Sequence, residues 1–311
     1  MKAQPQLHQT TRLISVLGLM LWAGVSTVAG QELEPRAYSA SPVGVLFFGG
    51  GFTRMTGGVV SDASLPISDI QATVYGTTIG LGYTFPVGGR QALLTGALPY
   101  AWGTVSGNVM EQSRSVHRSG LANAKFRLAV NLHGSPAMTL KEFAQRKQTY
   151  IVAASLTVDA PTGQYSGQKL INVGVNRFAF KAEIGVSLPV KKFEMGVYAG
   201  TWLFTANPNF FPGGVTRTQD PIPTLQGYVS YTFRQSLWLS VQSNWYGGGA
   251  AHLNDGPPAQ RFNNSRLGAT LSVPVARSQS VKLSYGGGVT ARFGSNFNTL
   301  TVGWQYTRLP K

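Results

Sequence analysis

The stretch Asn176-Arg177-Phe178-Ala179-Phe180-Lys181-Ala182-Glu183-Ile184-Gly185-Val186-Ser187-Leu188 decides how the chain is read. Its even positions are Asn, Phe, Phe, Ala, Ile, Val and Leu, and its odd positions are Arg, Ala, Lys, Glu, Gly and Ser. A strand sends successive side chains to opposite faces, so this segment has one apolar face and one charged face. A helix would put Lys181 on the same stripe as Phe178 and Ile184, so the two-residue period fits better. A soluble strand is usually ~5–6 residues long, whereas a membrane-spanning strand needs about 9–11. A long strand that is apolar on one side and ionic on the other predicts a transmembrane β-barrel with lipid outside and a polar lumen.

Composition agrees with this. The 311 residues are 43% hydrophobic and 12% charged, about half the globular norm of roughly 25%. No apolar run reaches the ~18–20 residues of a spanning helix. The N-terminus reads as a signal peptide over residues 1–30: Lys2 and Arg12 are the basic region, Leu13 to Val25 the apolar core, and Val28-Ala29-Gly30 a small-residue cleavage site before Gln31. Export together with barrel strands predicts the bacterial outer membrane, and the absence of Cys suits an oxidising route. Residues 1–30 hold two basic residues and no acidic one, which lowers the surplus from +15 to +13 in the mature chain. The bases alternate singly with apolar residues and form no runs. That argues against a nucleic-acid partner and for a basic barrel interior facing outer-membrane lipid across the wall.

Residues 31–42 carry two prolines and no alternation, and read as a periplasmic lead-in tucked into the barrel mouth. The barrel, 43–308, contains twelve strand candidates near 43–55, 71–85, 90–106, 121–133, 150–160, 175–188, 192–205, 222–234, 237–248, 262–275, 280–293 and 298–308. Short connections alternate with long ones at 56–70, 107–120, 161–174, 206–221 and 249–261, as short periplasmic turns alternate with external loops. The expected fold is therefore a single all-β, antiparallel barrel of about 12 strands whose first strand runs outward. Connection 134–149 breaks the alternation, and Thr139-Leu140-Lys141-Glu142 reads as a capping box opening a short helix over Glu142–Lys147. Trp238, Trp245, Trp304, Tyr231, Tyr246 and Phe233 fall near strand ends, where aromatic girdles sit. Gly286-Gly287-Gly288 marks a bend or close backbone approach.

The mature chain has only His117, His133 and His252, and none is placed for a catalytic triad or a metal site. No cofactor motif is present: Gly163-Gln164-Tyr165-Ser166-Gly167-Gln168-Lys169-Leu170 has the wrong glycine spacing for a phosphate loop. The chain does not read as an enzyme. The predicted lumen holds Lys125, Arg127, Arg177, Lys181, Arg266, Lys282 and Arg292 against Asp159, Glu183 and Glu194. These form either a packed structural network or a basic constriction that selects anions. Tyr198, Trp202 and Tyr228 are luminal aromatics on which a ring could stack, beside bases that attract a carboxylate.

The chain also resembles a family of outer-membrane transporters associated with the meta-cleavage pathway of phenol degradation. The resemblance rests on Leu33-Glu34-Pro35-Arg36-Ala37-Tyr38-Ser39 with Ser41-Pro42-Val43-Gly44, on Leu98-Pro99-Tyr100-Ala101-Trp102-Gly103, on Asn172-Val173-Gly174-Val175-Asn176-Arg177 with Phe180-Lys181, on Thr216-Arg217-Thr218-Gln219-Asp220-Pro221, and on Asn264-Ser265-Arg266-Leu267-Gly268. It implies passive uptake of small molecules, with aromatic compounds or aromatic acids as solutes. Such chains tend to end on an aromatic that looks like a signal to the outer-membrane assembly machinery, whereas here Thr307-Arg308-Leu309-Pro310-Lys311 follows Tyr306. The family often has Asp-Arg-Ser-Gly followed by Gly-Asp in the second outer loop. This chain has His117-Arg118-Ser119-Gly120-Leu121-Ala122-Asn123, so a role for those acids is not carried over. Two other classes fit the pattern: a plugged structural or adhesion barrel, and a lipid-acting barrel enzyme. The first requires a lumen closed by side chains and by residues 31–42, the second a Ser/His contact at the outer rim.

Overall fold

The structure, a computed structural model, describes residues 34–60, 67–109, 112–254, 256–258 and 261–310. The signal peptide and its cleavage site lie outside the described residues. The strands are β1 (Leu46–Val60), β2 (Ile67–Val87), β3 (Arg90–Val109), β4 (Gln112–Leu121), β5 (Ala124–His133), β6 (Ile151–Ala160), β7 (Ala179–Val190), β8 (Phe193–Phe204), β9 (Asn207–Phe210), β10 (Val215–Gln219), β11 (Ile222–Arg234), β12 (Leu237–Gly248), β13 (Ala251–Leu253), β14 (Phe262–Ala276), β15 (Gln279–Thr290) and β16 (Gly294–Arg308). Among the described residues a single helix, α1 (Leu140–Gln145), interrupts them.

The sheet closes on itself, because β2 pairs with both β1 and β3 and every pairing is antiparallel. β4 and β5 are the two halves of one wall strand: the outer part of β3 pairs with β4, and its inner part pairs with β5. Counting them once gives twelve strands around the wall. Closure leaves no open edge, so backbone polar groups can be satisfied within the sheet inside lipid.

The alternation selects the faces. Ile79 and Leu81 on β2, Phe126 and Leu128 on β5, Ile184 and Val186 on β7, and Leu300 and Val302 on β16 are exposed outward, while their polar neighbours point in. A charged side chain at mid-bilayer on that outer face would cost ~2–4 kcal/mol. Aromatic pairs mark the rims. Phe52, Tyr75 and Trp102 stack at 5.9–6.2 Å on the outer side. Phe48–Trp304, Phe193–Tyr231 and Tyr231–Phe233 gather on the inner side. A closed barrel with this apolar exterior and polar interior is a transmembrane barrel of the bacterial outer membrane.

Four expectations change. Residues 56–60, 67–70, 107–109 and 112–120 are strand and not loop, because pairing among β1, β2, β3 and β4 continues well past the outer aromatics. Loops 206–221 and 249–261 carry a small sheet, β9–β10–β13, outside the wall. Trp238 and Tyr246 belong to the inner face: Trp238 lies under the Arg36 guanidinium and Tyr246 is buried among aromatics. The helix starts two residues earlier than expected, on the capping box that Thr139 and Glu142 form in both directions.

Candidate permeation pathway

The lower half of the lumen is a cavity of about 1480 Å³ that runs from the periplasmic turns to mid-barrel. Nine of its lining residues are Lys or Arg and three are Glu. Basic groups therefore set its potential. Lys125, Arg127, Lys181, Glu183, Glu194, Tyr198 and Lys282, all expected in the lumen, line it. Turn residues Lys191 and Lys192, the helix-side Arg146, and Arg234 at the end of β11 add charge at the periplasmic mouth. Sequence alternation misses the first three because they lie in connections, and Arg234 because it closes its strand.

The lead-in occupies part of this cavity. Gly44 donates from its backbone N–H to the Thr84 carbonyl, and the Ser41 N–H donates to Gln91 Oε1, which fixes the segment to the wall at the periplasmic end. From there it turns into the barrel. The Tyr38 hydroxyl donates to Glu183 Oε1 at 2.8 Å and contacts Ser155 Oγ at 2.9 Å. The Tyr38 ring meets Tyr198 edge-on at 4.8 Å and carries the Arg127 guanidinium on its face at 4.7 Å. Gly185 makes room for this, since a Cβ there would stand 2.6 Å from the Tyr38 ring. Arg36 pairs with Glu194 at 3.1 Å, and Glu194 also accepts from the Tyr228 hydroxyl at 2.7 Å. Tyr228 is buried behind that carboxylate and is not part of the cavity lining.

Glu183 is the centre of this network. It takes Lys181 at 2.5 Å, Arg127 at 3.8 Å and the Tyr38 hydroxyl. Lys181 and Lys125 each lie 6.0 Å from the ring of Trp202, which is fully buried behind them.

Above Trp202 the lumen is filled by side chains. Trp202, Ile222, Tyr246, Phe262 and Phe293 form one apolar cluster, with Phe204 at its edge. A second cluster joins Val59, Val74, Val105 and Phe297 of the projecting strands to Ile171 of the loop above. Asn123, at the break between β4 and β5, holds that loop down: its side chain accepts from the Gly163 and Val175 N–H groups and donates to Asp159 at 2.6 Å.

Three basic residues expected in the lumen do not line this cavity. Arg177 precedes β7, which starts at Ala179 rather than at 175 because Asn176 adopts a positive φ of 50°. It is buried under the roof, stacked on Phe204 at 4.3 Å and bonded to Gln219. Arg217 of β10 is buried beside it; burial pushes its guanidinium down to about 10, so it keeps its charge at neutral pH. Arg266 faces the interior as expected but lies above the cavity, buried and donating to the Phe297 carbonyl at 2.7 Å. Arg292 leaves the wall altogether, since β15 ends at Thr290, and its side chain is exposed in the turn to β16.

Among the described residues no group of His, Asp and Glu could hold a metal. His252 pairs with Asp220 at 3.2 Å and His117 with Thr104 at 3.2 Å, and among the described residues no serine hydroxyl bonds to a histidine.

The profile of a family described as "Putative MetA-pathway of phenol degradation" matches residues 56–306. The chain belongs to this family. Among solved structures, this member of the phenol-degradation family is similar to an outer membrane channel from Pseudomonas putida F1, at 17% identity and a TM-score of 0.73, covering 89% of this chain and 100% of that one. It is also similar to the transport unit of the autotransporter AIDA-I from Escherichia coli, at 10% identity and a TM-score of 0.53, covering 94% and 98%. At these identities the likeness concerns the fold alone, shared over most of this chain. No curated protein sequence matches this family member.

Proposed function

We propose that the protein is a passive outer-membrane channel for small molecules, with aromatic compounds and their acids as its solutes. The observation that carries this reading is the junction in the lumen. A basic cavity of about 1480 Å³ abuts a cluster of Trp202, Tyr246, Phe262 and Phe293. An aromatic acid needs both surfaces, a cation for its carboxylate and a ring face for its body. Membership of the phenol-degradation family supports the same solute class.

The test is conductance of the refolded protein in a planar bilayer under a salt gradient, with and without benzoate. Anion-selective conductance, partly blocked by benzoate and shifted towards cations in Lys181→Ala and Lys282→Ala, is the expected result. A correctly folded barrel that passes no current and takes up no aromatic solute would overturn it. A second reading, the plugged barrel, draws on the lead-in: Arg36 and Tyr38 are tied to Glu194 and Glu183 across the lumen. The two readings join if the segment is a removable obstruction, which its deletion addresses below.

A further inference from the structure

One sector of the periplasmic rim gathers charge and aromatic surface together. β7 and β8 are joined by two residues, Lys191 and Lys192, and β11 ends on Arg234. The two hairpins adjoin. β8 pairs with β11 down to Phe193↔Tyr231, and the Thr232 N–H then donates to the Lys192 carbonyl at 2.8 Å. No chain links the hairpins at this end, because β8 and β11 are connected on the outer side. All three bases are exposed. Among the described residues none of the three is in an ion pair. Glu194, the acid next in sequence, turns into the lumen and is taken by Arg36 at 3.1 Å.

The backbone bends to present these groups. Lys191 adopts a φ of 56°, a left-handed conformation that two-residue hairpin turns usually fill with Gly, Asn or Asp. β11 carries a bulge between Thr232 and Arg234. A bulge interrupts alternation and re-aims side chains. Here the successive residues Phe233 and Arg234 are both exposed.

Three rings lie beside the bases on the lipid-facing surface. Phe193 meets Tyr231 at 4.9 Å and Tyr231 meets Phe233 at 5.0 Å, both edge-on. Phe193 and Phe233 remain 48% and 51% exposed, so the row has a free face towards the bilayer. Aromatic belts sit at the level of the headgroups, which puts Lys191, Lys192 and Arg234 at the level of the phosphates. Lys supplies a compact charge and Arg a planar fork, and both suit phosphate oxygens. A zwitterionic phospholipid would bring its own ammonium among three cations, whereas an anionic one brings only the charge they lack. Other periplasmic turns carry single exposed bases, Arg90 and Arg277 among them.

We propose that Lys191, Lys192 and Arg234, with the ring row Phe193–Tyr231–Phe233, bind one anionic phospholipid of the periplasmic leaflet, which clips the β7–β8 and β11–β12 hairpins together where no chain joins them. The site lies on the membrane side of the rim and does not depend on which solute the lumen carries. The test is native mass spectrometry of the detergent-solubilised protein titrated with dioleoylphosphatidylglycerol or dioleoylphosphatidylethanolamine, with folding checked by heat-dependent gel mobility. The expected result is one phosphatidylglycerol retained several-fold more than phosphatidylethanolamine. Lys192→Gln with Arg234→Gln should abolish that preference. Arg90→Gln with Arg277→Gln removes the same amount of charge from other turns and should leave it intact. Phe233→Ser, with all the bases present, should lower retention of phosphatidylglycerol. Equal retention of the two lipids would overturn the proposal. So would an equal loss in both charge-deleted pairs, which would reduce the effect to the general field of a basic rim. Full displacement of the lipid by glycerol 1-phosphate, the headgroup without its chains, would also overturn it and leave only a site for soluble anions at the mouth.

Discussion

Glu183 sits between three partners that compete for its two oxygens, Lys181, Arg127 and Tyr38. Truncating one partner of a buried ionic cluster leaves the others uncompensated, at about 3–5 kcal/mol. Glu183→Ala should therefore lower unfolding stability by that order, measured by urea denaturation in lipid vesicles. Glu183→Gln keeps the shape, removes a negative charge and should raise anion preference in the same salt-gradient assay. Tyr38→Phe deletes only a hydroxyl, yet that hydroxyl contacts both Glu183 and Ser155. Its loss should weaken the hold on the lead-in by about 1–3 kcal/mol, seen as more frequent opening events in single-channel records. The alternation around Lys181 and Glu183 already places them on one face, so their side of the wall is legible from sequence. Their partner Tyr38 is not, because it comes from a segment without period that crosses the lumen from 145 residues away.

Among elements, those in contact with lipid were legible and those above it were not. The wall strands match the expected spans closely because lipid on one side and a polar lumen on the other enforce a two-residue period. β4 rises into water, exposed over most of its length, and β9, β10 and β13 pair outside the wall. None of them carries a one-sided pattern, so composition reads them as loops. Arg177 and Arg292 were misplaced for the same reason, since each lies just past the point where its strand leaves the wall and alternation loses its meaning. The lead-in is the element with the largest expected effect. Deleting residues 34–42 removes Arg36 and Tyr38 together with the turn that carries them. Conductance should rise several-fold while the barrel still folds, since its closing ladders involve none of these residues. Unchanged conductance would show that the obstruction lies in the aromatic half instead.

For the molecule as a whole, the basic surplus of the cavity acts at a distance set by salt. The Debye length falls from about 10 Å at 0.1 M to about 3 Å at 1 M, so the anion preference should shrink as ionic strength rises. A preference that held constant would point to direct binding at Lys181 or Lys282 rather than to a diffuse field. β1 and β16 add a different constraint. They share fifteen register pairs, from Leu46↔Arg308 to Val60↔Gly294, so the join that seals the cylinder links its first strand to its last. No shorter nascent chain can complete the ring, and every partial product presents two raw margins to its surroundings. Contacts of such large sequence separation are slow to form. Ring closure only after β16 has been made, and loss of the closed barrel on premature stop codons within β16, are the expected consequences of where those two strands meet.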